Sequence, residues 1–293
     1  MKLSCTSTVK LLIVLFLFIA VSCGENKIIQ TDTSDLPAPV VAGEFELIPE
    51  LSDEFEKDFD TLKWFRNNPT WKGRAPSFFS ENNVNITNGR LELTMKLEEP
   101  STQDLRDRQF HTFSSAAVRS KYTVKYGYFE IRARAMNSHG SSAFWFYDQT
   151  PDLWTEIDVF EICGQGEREN QYNMNIHVFR TPLKDEHWSR QGEWRAPYRF
   201  ADDYHVFGLE WNPYAIIWYI DGDTVRTSEN THWHQALTMN FDSETMPDWF
   251  GLPLEKDLPS TFSIEYVRSW RYKTADWMID GKWENKMRRN RTN

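Results

Sequence analysis

Over most of the chain, apolar and polar residues alternate with period two, the repeat of a half-buried β-strand. Tyr126 to Ala135 (YGYFEIRARA) puts Phe129, Ile131 and Ala133 on one face and Glu130, Arg132 and Arg134 on the other. Asn82 to Leu97 holds two alternating runs about Asn88-Gly89, a pair that accepts the left-handed backbone of a tight hairpin. Tyr204 to Arg226 predicts strands separated at Asn212-Pro213 and again at Asp221-Gly222, and Ser260 to Tyr272 predicts a late strand. Beyond residue 22 no segment sustains a 3.6-residue apolar period. Many short strands without helices predict an all-β sandwich, closed by the packing of two antiparallel sheets.

One strand breaks the rule. Trp154 to Gly164 (WTEIDVFEICG) carries Glu156 and Asp158 on one face, and simple alternation sends Glu161 to the other, beside Ile157 and Val159. A solvated acidic edge strand explains acids on an outer face only. An unpaired carboxylate among those apolar residues is costly. A β-bulge at Val159-Phe160 restores the phase, because two residues then oppose one and Glu161 rejoins the other acids. The outer two Cα atoms then lie roughly 13 Å apart at strand rise. Two long Glu side chains can lean over the shorter Asp to the ~5–5.5 Å carboxyl separation of a retaining glycosidase. Crowded carboxylates cannot all ionise easily, so one holds its proton near neutral pH. Retaining hydrolysis needs that split, one group attacking and one donating a proton. The spacing alone does not say which Glu takes which role.

Composition narrows the partners. Aromatic residues make up 15% of the 293, including 13 Trp. Trp is seldom fully buried, so some of these rings are candidates to stack on sugar faces. The formal charge is −10, and near −12 once the two lysines of the first 22 residues are removed. No basic stripe for nucleic acid is present. Lys2 and Lys10 flank the start of an apolar run, Leu11 to Val21, that is short for a membrane span and ends at Ser22-Cys23. This predicts a lipoprotein signal over 1–22, with Cys23 as the lipid-bearing residue. The alternative is an ordinary secretory signal. Residues 23–44 read as a polar tether and 45–293 as one domain. The expected location is export, either cell-surface anchored through the N-terminal lipid alone or secreted. Cys5 falls in the signal, so Cys163 is left without an intrachain partner and no cysteine zinc cluster can form.

EIDVFE resembles the bulged Glu-x-Asp-x-x-Glu signature of glycoside hydrolase family 16. LSDEFEKDFDTLKW, YGYFEIRARA, YHVFGLEWNPYAIIWYIDG and FSIEYVRSWRY resemble other stretches of that family in the right order, so the likeness spans residues 45 to 273. It implies a jelly-roll β-sandwich with a concave substrate cleft. By carry-over it makes Glu156 the nucleophile, Glu161 the general acid/base, and Asp158 the acid that balances their proton. No cofactor is required. Some members carry a structural calcium, for which Asp53, Asp58 and Asp60 are the candidates against a plain solvated loop.

The chain lacks the Gly-x-Trp-Pro pattern of laminarinases, and TWKGRAPSFF resembles the agarase and porphyranase branch. That likeness turns Trp71 and Arg74 toward the cleft. On SSAFWFYD, alternation sets Ala143, Trp145 and Tyr147 opposite Phe144 and Phe146. On NMNIHVF, Asn173, Asn175 and His177 share a face. Trp145 and Trp154 are the expected stacking floors, with Trp194, Trp233 and Trp249 as further candidates. An Arg fork matches a sulfate ester, so Arg74, Arg66 or Arg180 would distinguish porphyran from agarose. The expected activity is that of a monomeric endo-acting, retaining β-1,4-galactanase on porphyran. A β-agarase is the alternative, followed by a laminarinase or a non-catalytic glycan-binding lipoprotein.

Overall fold

The computed structural model describes residues 39, 44–98, 112–182 and 187–274. The signal over 1–22, Cys23 and nearly all of the 23–44 tether lie outside the described residues, as do 275–293. Among the described residues seventeen strands, numbered in chain order, build two facing layers. The first layer runs β2 (Trp64–Phe65), β6 (Phe113–Val124), β16 (Leu237–Glu244), β8 (Ser141–Gln149), β9 (Trp154–Cys163) and β10 (Gln171–Arg180). Two short strands, β11 (Trp188–Ser189) and β12 (Gly192–Arg195), close its edge on β10. The second layer runs β4 (Val84–Ile86), β5 (Leu91–Leu97), β17 (Ser260–Tyr272), β7 (Gly127–Arg134), β13 (His205–Trp211), β14 (Ala215–Ile220) and β15 (Asp223–Glu229). β1 (Phe45–Leu47) pairs with the end of β17, and β3 (Ser77–Phe79) runs parallel to the start of β6. This is the expected all-β jelly roll.

The turns form where their residues dictate. Asn88 and Gly89 have φ of 52° and 69°, and Asp221 and Gly222 have 49° and 90°. Positive φ at both central residues is the type I′ geometry that matches strand twist. Alternation then delivers one face of each strand to the interior. Phe144 and Phe146 of β8, and Phe129 and Ile131 of β7, are fully buried, as the pattern predicts. Phe160 on β9 meets Phe207 on β13 with ring centroids 4.4 Å apart, tying the two layers together. Each such ring removes about 150–250 Å² from water, at roughly 25 cal/mol per Å² of apolar area.

The outer face of β7 is less polar than its alternation suggests. Glu130 is buried there, and the Tyr266 hydroxyl donates to its carboxylate at 3.2 Å. Tyr128, Tyr219 and Trp270 form a second small apolar cluster with Phe45 and Leu47 of β1 laid over it. The final strand pairing thus covers a face that would otherwise meet water.

Gly127 turns β6 into β7 at φ 140°, and a Cβ there would lie 2.3 Å from the Trp270 carbonyl oxygen. Gly127→Ala is expected to cost about 2–4 kcal/mol from strained backbone and steric displacement. A urea titration should show a lower midpoint at unchanged slope. An unchanged midpoint would mean that the β17 backbone yields freely.

Candidate active site

The bulge lies where β9 was expected to need one. On the β8 side, Trp145 pairs with Asp158 and Phe144 with Phe160, so Val159 is the extra residue. On the β10 side, Asn175 pairs with Asp158 and Asn173 with Glu161, so Met174 alone faces Val159 and Phe160. Val159 and Phe160 both point into the core, with Ile157 and Ile162 on either side of them. Glu156, Asp158 and Glu161 therefore emerge together on the cleft face. Their backbone is held by side chains. Trp233 Nε1 donates to the Glu156 carbonyl (2.7 Å), Trp218 Nε1 to that of Asp158 (3.0 Å), and Asn173 Nδ2 to that of Glu161 (2.9 Å).

The cleft has two adjoining lobes. One, of about 440 Å³, is lined by Trp71, Arg74, Trp145, Asp158 and Glu244. The other, of about 480 Å³, is lined by Asn175, His177, Gln191, Met246 and Trp249. Glu156, Glu161, Arg74 and Phe179 line both. The two glutamates thus sit at the junction. A separate cavity of about 500 Å³, lined by Arg134, Asn137, Gln165 and Lys256 among others, contains none of these acids.

Electrostatics follow from crowding and burial. Glu156 keeps 18% side-chain exposure toward the cleft, and Asp158 is 4% exposed. Burial, then Asp158, Glu161 and Glu244, push the Glu156 carboxyl well above the ordinary range. Burial, then Asp158 and Glu244, do the same to Glu161, while Arg74 opposes both shifts. His177 Nε2 lies 3.1 Å from Asp158 Oδ2 and 3.9 Å from Glu156 Oε1. The nearer contact is close but misdirected, so Asp158 Oδ2 lacks a hydrogen-bond donor.

Three further acids belong to the cleft: Asp248 lines the second lobe, and Asp242 and Glu244 lie on β16. Trp145 Nε1 donates to Asp242 Oδ2 at 2.6 Å, and Arg74 Nε donates to Glu244 Oε2 at 3.0 Å. Burial raises Asp242 well above its usual range and brings Glu244 to about 7 despite Arg74. The signal for the two on β16 was the same alternation: in LTMNFDSE, Asn240, Asp242 and Glu244 share one face and Met239 and Phe241 the other.

Trp71, Arg74, Trp145, Asn175 and His177 all line the cleft. Trp145 stacks on Tyr147 with centroids 4.7 Å apart, and Trp71 meets Trp145 edge-on at 6.0 Å. Trp154 lines neither lobe, contrary to its expected role as a stacking floor. It stacks at 4.4 Å behind Phe179, and Phe179 is the ring that faces the cleft. Trp233 is fully buried and Trp194 packs against the core; of the further candidates only Trp249 lines a lobe. Asn173 is buried beneath Glu161 rather than open to substrate. Arg66 covers the Phe59 ring, and Arg180 donates to the carbonyls of Thr150 and Pro151, so neither lines the cleft lobes.

Two of the early acids accept hydrogen bonds within their own stretch of chain. Asp53 accepts from Phe55 N and Trp64 Nε1, and Asp60 accepts from Leu62 N. Among the described residues, the one group of three side chains able to converge on a metal is Glu156, Asp158 and His177, in the cleft itself.

A jelly roll with paired glutamates at the middle of an open, aromatic-walled cleft is the build of a polysaccharide hydrolase. The family model "Beta-porphyranase A-D, GH16 domain" matches residues 45–272, and the chain belongs to glycoside hydrolase family 16. Within that family it is an endo-glycosidase of the branch that holds porphyranases, agarases and carrageenases. It is 28% identical to beta-porphyranase B of Zobellia galactanivorans over 253 residues, covering 78% of this chain and 85% of that protein. It is 29% identical to a beta-agarase of Phocaeicola plebeius over 69% of this chain and 72% of that protein. The crystal structure of porphyranase B from Z. galactanivorans superposes with a TM-score of 0.72 at 26% identity, covering 80% of this chain and 99% of that one.

The raised carboxyls have a consequence for stability. In the unfolded chain Glu titrates at about 4.3, whereas folded Glu156 holds its proton to higher pH. The folded state binds more protons in that window, so stability is full below the unfolded value and falls as pH rises through the folded one. Glu156→Gln removes the penalty. Its Tm should exceed that of the wild type at pH 8, by about 2–4 °C for each kcal/mol gained, and the gain should vanish near pH 4. Equal melting at both pH values would show that Glu156 is not destabilised by its neighbours.

Proposed function

We propose that the protein hydrolyses β-1,4-galactosidic links within porphyran, with retention of anomeric configuration. The observation that carries this reading is the placement of Glu156 and Glu161 together at the junction of the two lobes, where a chain running through both would present one glycosidic bond. Glu156 attacks the anomeric carbon while Glu161 gives its proton to the departing oxygen. Formation of the glycosyl ester removes the Glu156 charge. Repulsion on Glu161 then falls, its pKa drops, and it accepts a proton from the incoming water. Asp158, set between them on the same face, tunes that exchange, with His177 Nε2 3.1 Å away.

Arg74 supports the sulfated substrate. Its side chain is 51% exposed above the floor and its guanidinium lies 5.9 Å from the Trp71 ring centroid, a fork beside a stacking surface. One observation favours agarose instead, namely that Glu244 already occupies Arg74. Relatives on both sides of this choice are similar at 28% and 29% identity.

Porphyran and agarose should be digested side by side, with product analysis. Release of even-numbered oligosaccharides from porphyran, with little from agarose, is expected. Arg74→Ala should lower turnover of porphyran more than that of agarose. Glu161→Gln should lower turnover about 10²–10⁴-fold, and Glu156→Gln should abolish it. Agarose as the better substrate would overturn the porphyran assignment, and an active Glu156→Gln would overturn the dyad.

We further propose that residues 1–22 direct export and that Cys23 carries a lipid, leaving 45–293 as a tethered hydrolase. The charged start, the apolar run from Leu11 to Val21 and the small Ser22 support this. Cys23→Ser should move the protein from the membrane to the soluble fraction. Retention of the variant at the membrane would refute lipid anchoring at Cys23.

A further inference from the structure

We infer that Trp218 and Arg226, both from the sheet opposite the cleft, act as a clamp that sets the β9 bulge and hence the positions of Glu156 and Glu161. This rests on the dyad reading above and concerns residues that touch no substrate.

A bulge leaves part of a strand's ladder unmatched. Around the β9 bulge, one backbone oxygen of the bulged strand and one of the neighbouring β10 are met by side chains from the other sheet. Trp218 Nε1, on β14, crosses the core to the Asp158 carbonyl at 3.0 Å. Arg226, on β15, donates from Nη1 to the carbonyl of Met174, the residue facing the bulge, at 2.8 Å, and from Nη2 to that of Arg190 at 2.5 Å. The two donors support each other, with the guanidinium carbon 4.4 Å from the Trp218 ring centroid.

A second irregularity makes this geometry available. Trp218 pairs with Arg226 and Tyr219 with Thr224, so Val225 is an extra residue in β15. It rotates Arg226 onto the inner face beside Trp218. Gly192, the β12 partner of Met174, leaves the space: a Cβ there would meet Arg226 Cδ at 2.7 Å. One bulge thus aims the Arg that fastens β10 at the residue opposite the other. Arg226 is pushed down to about 10, chiefly by burial, so it remains cationic at neutral pH, and Asp158 opposes that shift.

Loosening the clamp should separate the cleft acids. Misplacement by about 1 Å can cost on the order of 10²-fold in turnover. The proton held by the dyad reflects burial first, then Asp158, Glu244 and Asp242, offset by Arg74, with His177 beside Asp158. Wider spacing weakens that repulsion, so the alkaline limb of kcat/KM should move to lower pH.

The test compares Trp218→Phe, Arg226→Met, Arg226→Lys and Gly192→Ala in the whole chain. Trp64→Phe is the control, since it removes a buried indole donor to Asp53, distant from the bulge in sequence and bonded to neither of its strands. Trp218→Phe and Arg226→Met should lower kcat about 10–100-fold with KM within about twofold and shift the alkaline limb. Arg226→Lys should fall between Arg226→Met and wild type. Gly192→Ala, which displaces the end of the Arg226 side chain, should reproduce the pH shift if Trp218→Phe fails to fold. Wild-type kcat and pH profile in the folded clamp variants, with Glu156→Gln inactive, would overturn the clamp and leave the dyad standing. The same kcat loss in Trp64→Phe would also overturn it, as general loosening of the core. An active Glu156→Gln would instead remove the dyad on which the clamp acts.

Discussion

The site depends on one surplus residue in a central strand. Side chains of a sheet alternate strictly, so a strand whose third acid follows the second at an odd spacing must either bury a charge or break its ladder. β9 breaks the ladder at Val159. The disruption leaves Val159 and Phe160 both in the core and all three acids in the cleft. The core gains two apolar side chains where alternation allows one. Phe160 uses its place to meet Phe207 of the other sheet. The placement of the acids and the sheet-to-sheet packing are therefore settled at the same bulge.

Concentrating acids on that face has an electrostatic consequence for the whole cleft. Six carboxyl groups, Glu156, Asp158, Glu161, Glu244, Asp248 and Asp242, line it or stand just beneath, against Arg74 and the neighbouring His177. Burial and mutual repulsion keep protons on Glu156, Glu161 and Asp242 beyond their usual range. The cleft is therefore less negative than a count of its acids implies, although the chain as a whole carries a formal charge of −10. Arg74, half exposed, bonds a Glu whose own pKa is brought to about 7.

Features that depend on local order were legible in the sequence. Alternation placed Phe129 and Ile131 inside, Asn88-Gly89 marked its hairpin, and the parity fault in EIDVFE located the bulge. Trp71, Arg74, Trp145, Asn175 and His177 reached the cleft as their strand phase or loop resemblance implied. Features that depend on distant partners were not legible. Nothing near Arg74 in sequence points to Glu244, 170 positions away. Alternation sets Trp154 on the same strand face as Glu156, yet its ring lies behind Phe179, a neighbour from the next strand. Trp233 reads as a candidate stacking ring and nothing in sequence marks Trp218; their indole nitrogens matter only because a bulged strand offers carbonyls across the interior.

The bulge also bears on how this strand can change length over evolutionary time. Its extra residue is absorbed at one point, so Ile162, Cys163 and the passage into β10 keep their phase. A version of β9 lacking Val159 but regularly paired would show the same acids on the same face, with the Phe160 ring still inward. Loss of that single codon is therefore neutral for orientation, whereas an insertion elsewhere in β9 reverses every residue beyond it unless a second bulge absorbs it. The place where this strand already takes up a change of length lies between two members of the acid cluster.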